Sequence, residues 1–214
     1  MSRTPKATVR DWRRGYGVVD PVDKEVISYS LWDRQSIVSG TTQALTFFGA
    51  PQTGQNGNLA LAGQLANGTA FLIQAIRMCP LIRVTETAAA APAAGPADGA
   101  LQDMFTTVNT GSAVLRVGDK EYGKWPLFML PAGGGPVGAM SNVGTLTAPA
   151  SSQFAWATNG VPDPRSVYVL PIPIVIPPQY VFRVQVDWSA ILTLVAGNSD
   201  LLCILDGELM RPKQ

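Results

Sequence analysis

YVFRVQVDW, residues Tyr180–Trp188, puts Tyr180, Phe182, Val184, Val186 and Trp188 on one face at period two and Arg183, Gln185 and Asp187 on the other. A helix would scatter these side chains around its circumference; a strand sorts them onto a core side and a polar side. The stretch predicts a half-buried strand, and no long helical pattern elsewhere in the chain competes with it.

Working outward, Thr69–Val84 sets Phe71, Ile73 and Ala75, with Arg77, against Leu72, Gln74 and Ile76. Both faces are partly apolar, which predicts a central strand or one lying under another layer. Further strands are expected at Gln43–Ala50, Ser112–Tyr122, Trp125–Pro131, Ser166–Ile176 and Ser199–Pro212. Pro171, Pro173, Pro177 and Pro178 donate no ladder hydrogen bonds, so their stretch belongs at a sheet edge or outside regular pairing. Asp206-Gly207 fits either a hairpin turn or a bulge in a last strand. A short helix is expected at Asp98–Val108, with Leu101, Met104 and Phe105 at helical spacing. Ala88–Gly99 and Gly133–Ser166 are expected as long loops, and such crossings suit a sandwich better than a meander. The fold class is therefore all-β: a jelly-roll or Greek-key β-sandwich with long inter-strand loops, residues 39–214 forming one domain behind an extended N-terminal arm, residues 1–38.

Of the 214 residues 46% are hydrophobic, enough for a sizeable core, whereas only 14% are charged, against about 25% in an ordinary soluble domain. Much of the surface is therefore neutral. A net charge of +1 gives no global field to recruit nucleic acid or membrane. Locally, Arg3, Lys6, Arg10, Arg13 and Arg14 make the arm basic; it reads as a solvated tail or as an arm touching a neighbouring subunit, with phosphate the lesser alternative. No apolar run reaches the roughly 18 residues of a membrane span and no signal-peptide pattern opens the chain, so a cytosolic origin is expected. Cys79 and Cys203 sit in apolar runs and are expected as buried free thiols.

The chain has no histidine. That removes the commonest general base and metal ligand, and every Ser-His or Cys-His pair. Gly133, Gly135 and Gly138 in LPAGGGPVGAM spell G-x-G-x-x-G, yet a dinucleotide turn must open a helix. Here Pro136 lies inside the motif, AMSNVGTLTAPASSQ follows it, and the next acid is Asp163. The glycines read as the exit from a strand into a long crossing. Asp119 and Glu121, or Asp206 and Glu208, have the spacing for paired-acid work, but their glycine-flanked settings predict ordinary turn or strand-end charges. Asp20 and Asp23 match no calcium loop, so neither metal nor cofactor is expected. Trp188 and Trp32 are expected to pack in the core or an interface, while Trp12 and Trp156 lie in polar surroundings suited to a partner.

SGTTQALTFF, GQLANGTAFLIQAIRM, LRVGDKEYGKWPLFMLPAGGG, IPIVIPPQYVFRVQV and LDGELMRP together resemble the single-jelly-roll structural proteins of bacteriophage virions, of capsid or capsid-cement type. The resemblance covers roughly Ser39–Pro212 and rests on strand and turn patterns. It implies a non-enzymatic protein located in the virion after assembly in the host cytoplasm, with no catalytic residues and no small-molecule substrate. Its partners would be other copies of itself and other virion proteins. Assembly contacts are then expected at Arg3, Arg10, Trp12, Arg13, Arg14 and Trp156. A carbohydrate-binding β-sandwich of a tail fibre or lectin-like protein is the alternative.

Overall fold

The computed structural model describes residues 24–51, 56–81, 96–135, 137–141, 154–158, 160, 164–195 and 197–213. In chain order its elements are β1 (Lys24–Ile37), β2 (Ala44–Phe47), β3 (Ala70–Leu81), α1 (Pro96–Thr110), β4 (Gly111–Val117), β5 (Lys120–Pro126), β6 (Val137–Ser141), β7 (Phe154–Thr158), β8 (Val169–Ile176), β9 (Phe182–Trp188) and β10 (Ser199–Pro212). Eight strands form two four-stranded sheets, ordered β1-β10-β3-β8 and β2-β9-β4-β5, and β6 pairs with β7. Every strand pair is antiparallel. The protein is an all-β sandwich in which β9 buries Phe182, Val184, Val186 and Trp188 and turns Arg183 to solvent.

One core lies between the sheets. Leu31, Phe71, Ile73, Leu201, Cys203 and Leu205 come from the first; Phe47, Leu115, Phe182, Val184 and Val186 come from the second. Each large aliphatic or aromatic side chain so buried stabilises the fold by about 1.5–3 kcal/mol, and Phe48 and Phe182 add a tilted ring pair at 5.4 Å between centroids.

Several expectations change. Residues 24–37 of the expected arm form β1, paired along its whole length from Lys24↔Pro212 to Ile37↔Ser199. The signal for this strand is weak because Asp33 and Gln35 share the phase of Ile27, Leu31 and Ile37, while Val26 and Trp32 share the phase of the serines, so neither face is cleanly apolar. Residues 1–23 lie outside the described residues. Ser112–Tyr122 is two strands, not one: β4 and β5 fold back at Gly118-Asp119. Trp125–Pro131 is not a strand, since β5 ends at Pro126 and a 3-10 turn follows at Leu127–Met129. Within the expected loop Gly133–Ser166, β6 and β7 pair in register from Val137↔Thr158 to Ser141↔Phe154. These five-residue strands bond each other rather than the sandwich, so no long alternation marks them. Of the expected loop Ala88–Gly99, Pro96–Gly99 belong to α1, where proline suits the first helical turn. The helix extends beyond Asp98–Val108 at both ends, burying Met104 and Val108 and leaving Phe105 exposed.

β8 is an edge strand, as its prolines require, and β3 is central, flanked by β10 and β8. The expected phase of β3 holds for only half its length. Gln74 is an extra residue opposite the Asp206/Gly207 step of β10, so Asp206-Gly207 marks a bulge and not a turn. Beyond it Ile76 and Met78, not Ala75 and Arg77, join Phe71 and Ile73 in the core. One inserted residue moves every later side chain to the other face.

A buried acid ties the sheets together. Asp33 of β1 is fully buried, accepting the Phe48 amide N–H on Oδ2 and the Gln35 Nε2–H at 3.1 Å on Oδ1. Phe48 is thereby held in the left-handed region at φ 63°. Burial pushes the Asp33 carboxyl above its ordinary 3.8, against the opposing hydrogen bonds from the Phe48 amide, Gln35 and the Arg34 amide. A raised native value means that the native state holds this proton longer than the unfolded chain. The associated stability is fully present below pH 3.8 and is lost as pH rises toward the native value. Asp33→Asn cannot titrate; melting curves across the acid range should show the variant gaining on wild type as pH rises through this window, and parallel profiles would refute the assignment.

Candidate interaction surfaces

Arg3, Arg10, Trp12, Arg13 and Arg14 lie outside the described residues, as do Asp20 and Asp23. Trp156 stands in the middle of β7, opposite Ala139 of β6. Of the glycine motif, Gly133 and Gly135 close a tight turn, the Gly135 amide donating to the Gly133 carbonyl at 2.9 Å, and Gly138 lies in β6. A strand thus follows where a nucleotide site needs a helix N-terminus. Among the described residues no group of three or more Cys, Asp and Glu is placed to hold a metal. Cys79 and Cys203 are free thiols, Cys203 fully buried and Cys79 half-buried. Burial pushes both thiols up, Cys203 further through Asp33 and Asp206, so both stay protonated.

The carboxylates of β10 are occupied by neighbours on the face opposite the core. Asp206 accepts Arg77 Nε at 2.5 Å, Arg77 Nη2 at 2.8 Å and Ser30 Oγ at 2.6 Å. Asp200 accepts Arg34 Nε at 3.0 Å and Ser36 Oγ at 2.8 Å, Glu208 accepts Gln74 Nε2 at 3.2 Å, and Arg211 pairs with Glu25. These bonds cross β1, β10 and β3 and fix their register; the pair Asp206 and Glu208 is a structural ladder rather than an acid and a base. The edge of β1 is closed by Asn58, whose side chain accepts the Trp32 amide at 2.8 Å and donates to the Ser30 carbonyl at 2.7 Å.

The two ends of the sandwich differ. At one end the β1–β2 and β9–β10 connections are stitched together, Gly40 N–H donating to the Leu192 carbonyl and Leu192 N–H to the Thr42 carbonyl. α1 joins them through Asp103, which accepts the Val195 amide at 2.7 Å, and through Thr107, whose carbonyl accepts the Trp188 indole N–H at 2.9 Å. The β6–β7 pair and the 3-10 turn pack against α1. This end exposes Val38, Ile191, Val195, Phe105, Phe128 and Met129. Exposed apolar side chains are ordinary one by one, and the opposite end exposes Tyr180 and Val181 as well.

The opposite end holds an open depression of about 460 Å³ lined by Arg116, Asp119, Gln179, Tyr180 and Arg183. Its frame is hydrogen-bonded: the Gly118 amide donates to the Val181 carbonyl at 2.6 Å and the Phe182 amide to the Gly63 carbonyl at 2.8 Å. The alternation places Tyr180 with Phe182 on the core face, whereas Tyr180 is exposed. The strand begins only at Phe182, because Pro177-Pro178-Gln179-Tyr180 is a turn closed by the Tyr180 amide on the Pro177 carbonyl at 3.3 Å. Sequence reasoning singles out neither Arg116 nor Gln179; both signals arise only once β4 is laid beside β9. No family model, curated protein or solved structure matches the chain.

Proposed function

We propose that the two sheets form a jelly roll and that the chain is a non-enzymatic virion structural protein of a bacteriophage, a capsid shell or capsid-cement subunit. Strand order carries this reading. Numbered along the sandwich alone, the eight strands run 1-8-3-6 in one sheet and 2-7-4-5 in the other, each sheet drawing strands from both ends of the chain as paired Greek keys do. Jelly rolls recur in viral capsid and lectin domains. The apolar rim at the loop end, on a chain poor in charge, supports assembly as the use of this one. In that reading the connections that do not build the sandwich, with α1 and the β6–β7 pair, present the rim to neighbouring subunits.

The test is the assembly state of the purified protein by light scattering and electron microscopy. Closed oligomers, rings or shells are expected, and Val195→Asp or Phe128→Glu should dissociate them while leaving the melting temperature within a few degrees, as surface changes do. A protein that stays a monomer at every concentration overturns the proposal.

A further inference from the structure

We propose that the depression at the β4–β5 and β8–β9 end binds a carboxylate-bearing saccharide, with Arg116 and Arg183 holding the carboxylate. The site lies at the end of the sandwich away from the apolar rim and does not depend on assembly.

The first observation is a like-charge pair. Arg116 of β4 and Arg183 of β9 stand directly opposite in register, an arrangement that destabilises a sheet. Arg116 has one partner, Glu121, at 3.4 Å with both side chains well exposed, and Arg183 has no hydrogen-bond or ion-pair partner among the described residues. Two arginines opposite in register, both lining an open depression, offer the planar, bidentate donors that a carboxylate fits.

The second is a strained turn. Gln179 occupies the third position of the turn after Pro178 at φ 61°, a position of type II turns that favours glycine. A side chain kept where glycine relieves strain points to a use for that side chain, and the Gln179 amide lines the depression with Asp119. Together they supply a donor and two acceptors for hydroxyl groups. The third is the exposed ring of Tyr180 on the same wall, an apolar flat for the carbon face of a sugar ring. Cations for a carboxylate, an amide and an acid for hydroxyls and an aromatic wall together describe an acidic sugar better than phosphate, which would use only the arginines. A volume of about 460 Å³ admits one or two sugar units.

Calorimetric titration of the full chain with D-glucuronate, D-glucose and inorganic phosphate tests this. Glucuronate should bind at least about tenfold more tightly than either of the others, and Arg183→Ala should weaken it about tenfold or more, as loss of charge-assisted hydrogen bonds does. Arg183→Ala should also melt at the same temperature as wild type or higher, because it removes the opposed charge, so lost binding is not lost folding. Gln179→Gly, which relaxes the turn, should likewise weaken glucuronate without lowering the melting temperature. Absence of glucuronate binding, equal binding of glucose or phosphate, or glucuronate binding unchanged in Arg183→Ala overturns the proposal.

Discussion

Gly207→Ala destabilises the protein by more than about 3 kcal/mol, the top of the range for overpacking in a sheet that cannot move aside. A Cβ at this position would lie 1.8 Å from the Leu72 carbonyl oxygen and 3.3 Å from the Gln74 amide nitrogen, both backbone atoms of β3. Relief requires separating β10 from β3, the two inner strands of the first sheet, at the point where the register already shifts. The neighbouring Asp206 and Glu208 would move with them, disturbing their bonds to Arg77, Ser30 and Gln74. Gly40→Ala serves as the contrast: it meets no atom within 4 Å and pays only for its φ of +78°, about 1–2 kcal/mol. Chemical unfolding of both variants separates a clash from a backbone preference. A Gly207→Ala loss no larger than that of Gly40→Ala would mean that the two inner strands part easily.

The same bulge explains where sequence and structure diverge. Alternation in Phe182–Trp188 survives folding because no residue is inserted there, and the segment buries the face that its pattern marks. In β3 the local pattern runs straight through Gln74, since an inserted residue is visible only against its partner strand; the face of Ile76 was therefore illegible. β1 was hidden for a different reason. Its inner phase is broken by Asp33 and Gln35, and Ser30, Arg34 and Ser36 of its outer phase meet partners, Asp206 and Asp200, more than 150 residues away. An aspartate at position 33 amid SLWDRQSI is the one local sign that this segment has an inward-facing polar anchor. The rim at the loop end and the depression opposite it were illegible for the same general reason. They are assembled from connections and turns, whose residues carry no periodicity and whose neighbours are set by strand order. Tyr180 shows the limit most directly: its phase is right for the core, but it closes the turn before the strand begins and so stays outside.

Trp188→Ala should cost about 3–5 kcal/mol, the range for deleting a buried aromatic side chain. The indole is almost fully buried in a slot at the end of β9. Its nitrogen and Leu127 Cδ1 both lie so close to Gly111 that a Cβ added there would sit 2.6 Å from each. Its N–H donates to the carbonyl of Thr107, in the last turn of α1, where helix carbonyls have no partner within the helix. Alanine would thus leave both a cavity and an unsatisfied carbonyl beside it. Trp188→Phe retains most of the buried area and leaves the Thr107 carbonyl without its donor, which costs about 1–3 kcal/mol. The two variants divide the fold from its attachments, because this bond and Asp103 on the Val195 amide tie α1 to the sandwich beside the packing of Met104 and Val108. Hydrogen exchange should accordingly speed up across α1 in Trp188→Phe while the amides of β9 and β4 remain protected. In the proposed assembly α1 presents Phe105 on the apolar rim, so the same variant should weaken those subunit contacts more than it lowers the melting temperature. Equal protection of α1 in wild type and Trp188→Phe would show that the helix is held by its packing alone, and assembly should then be unaffected as well.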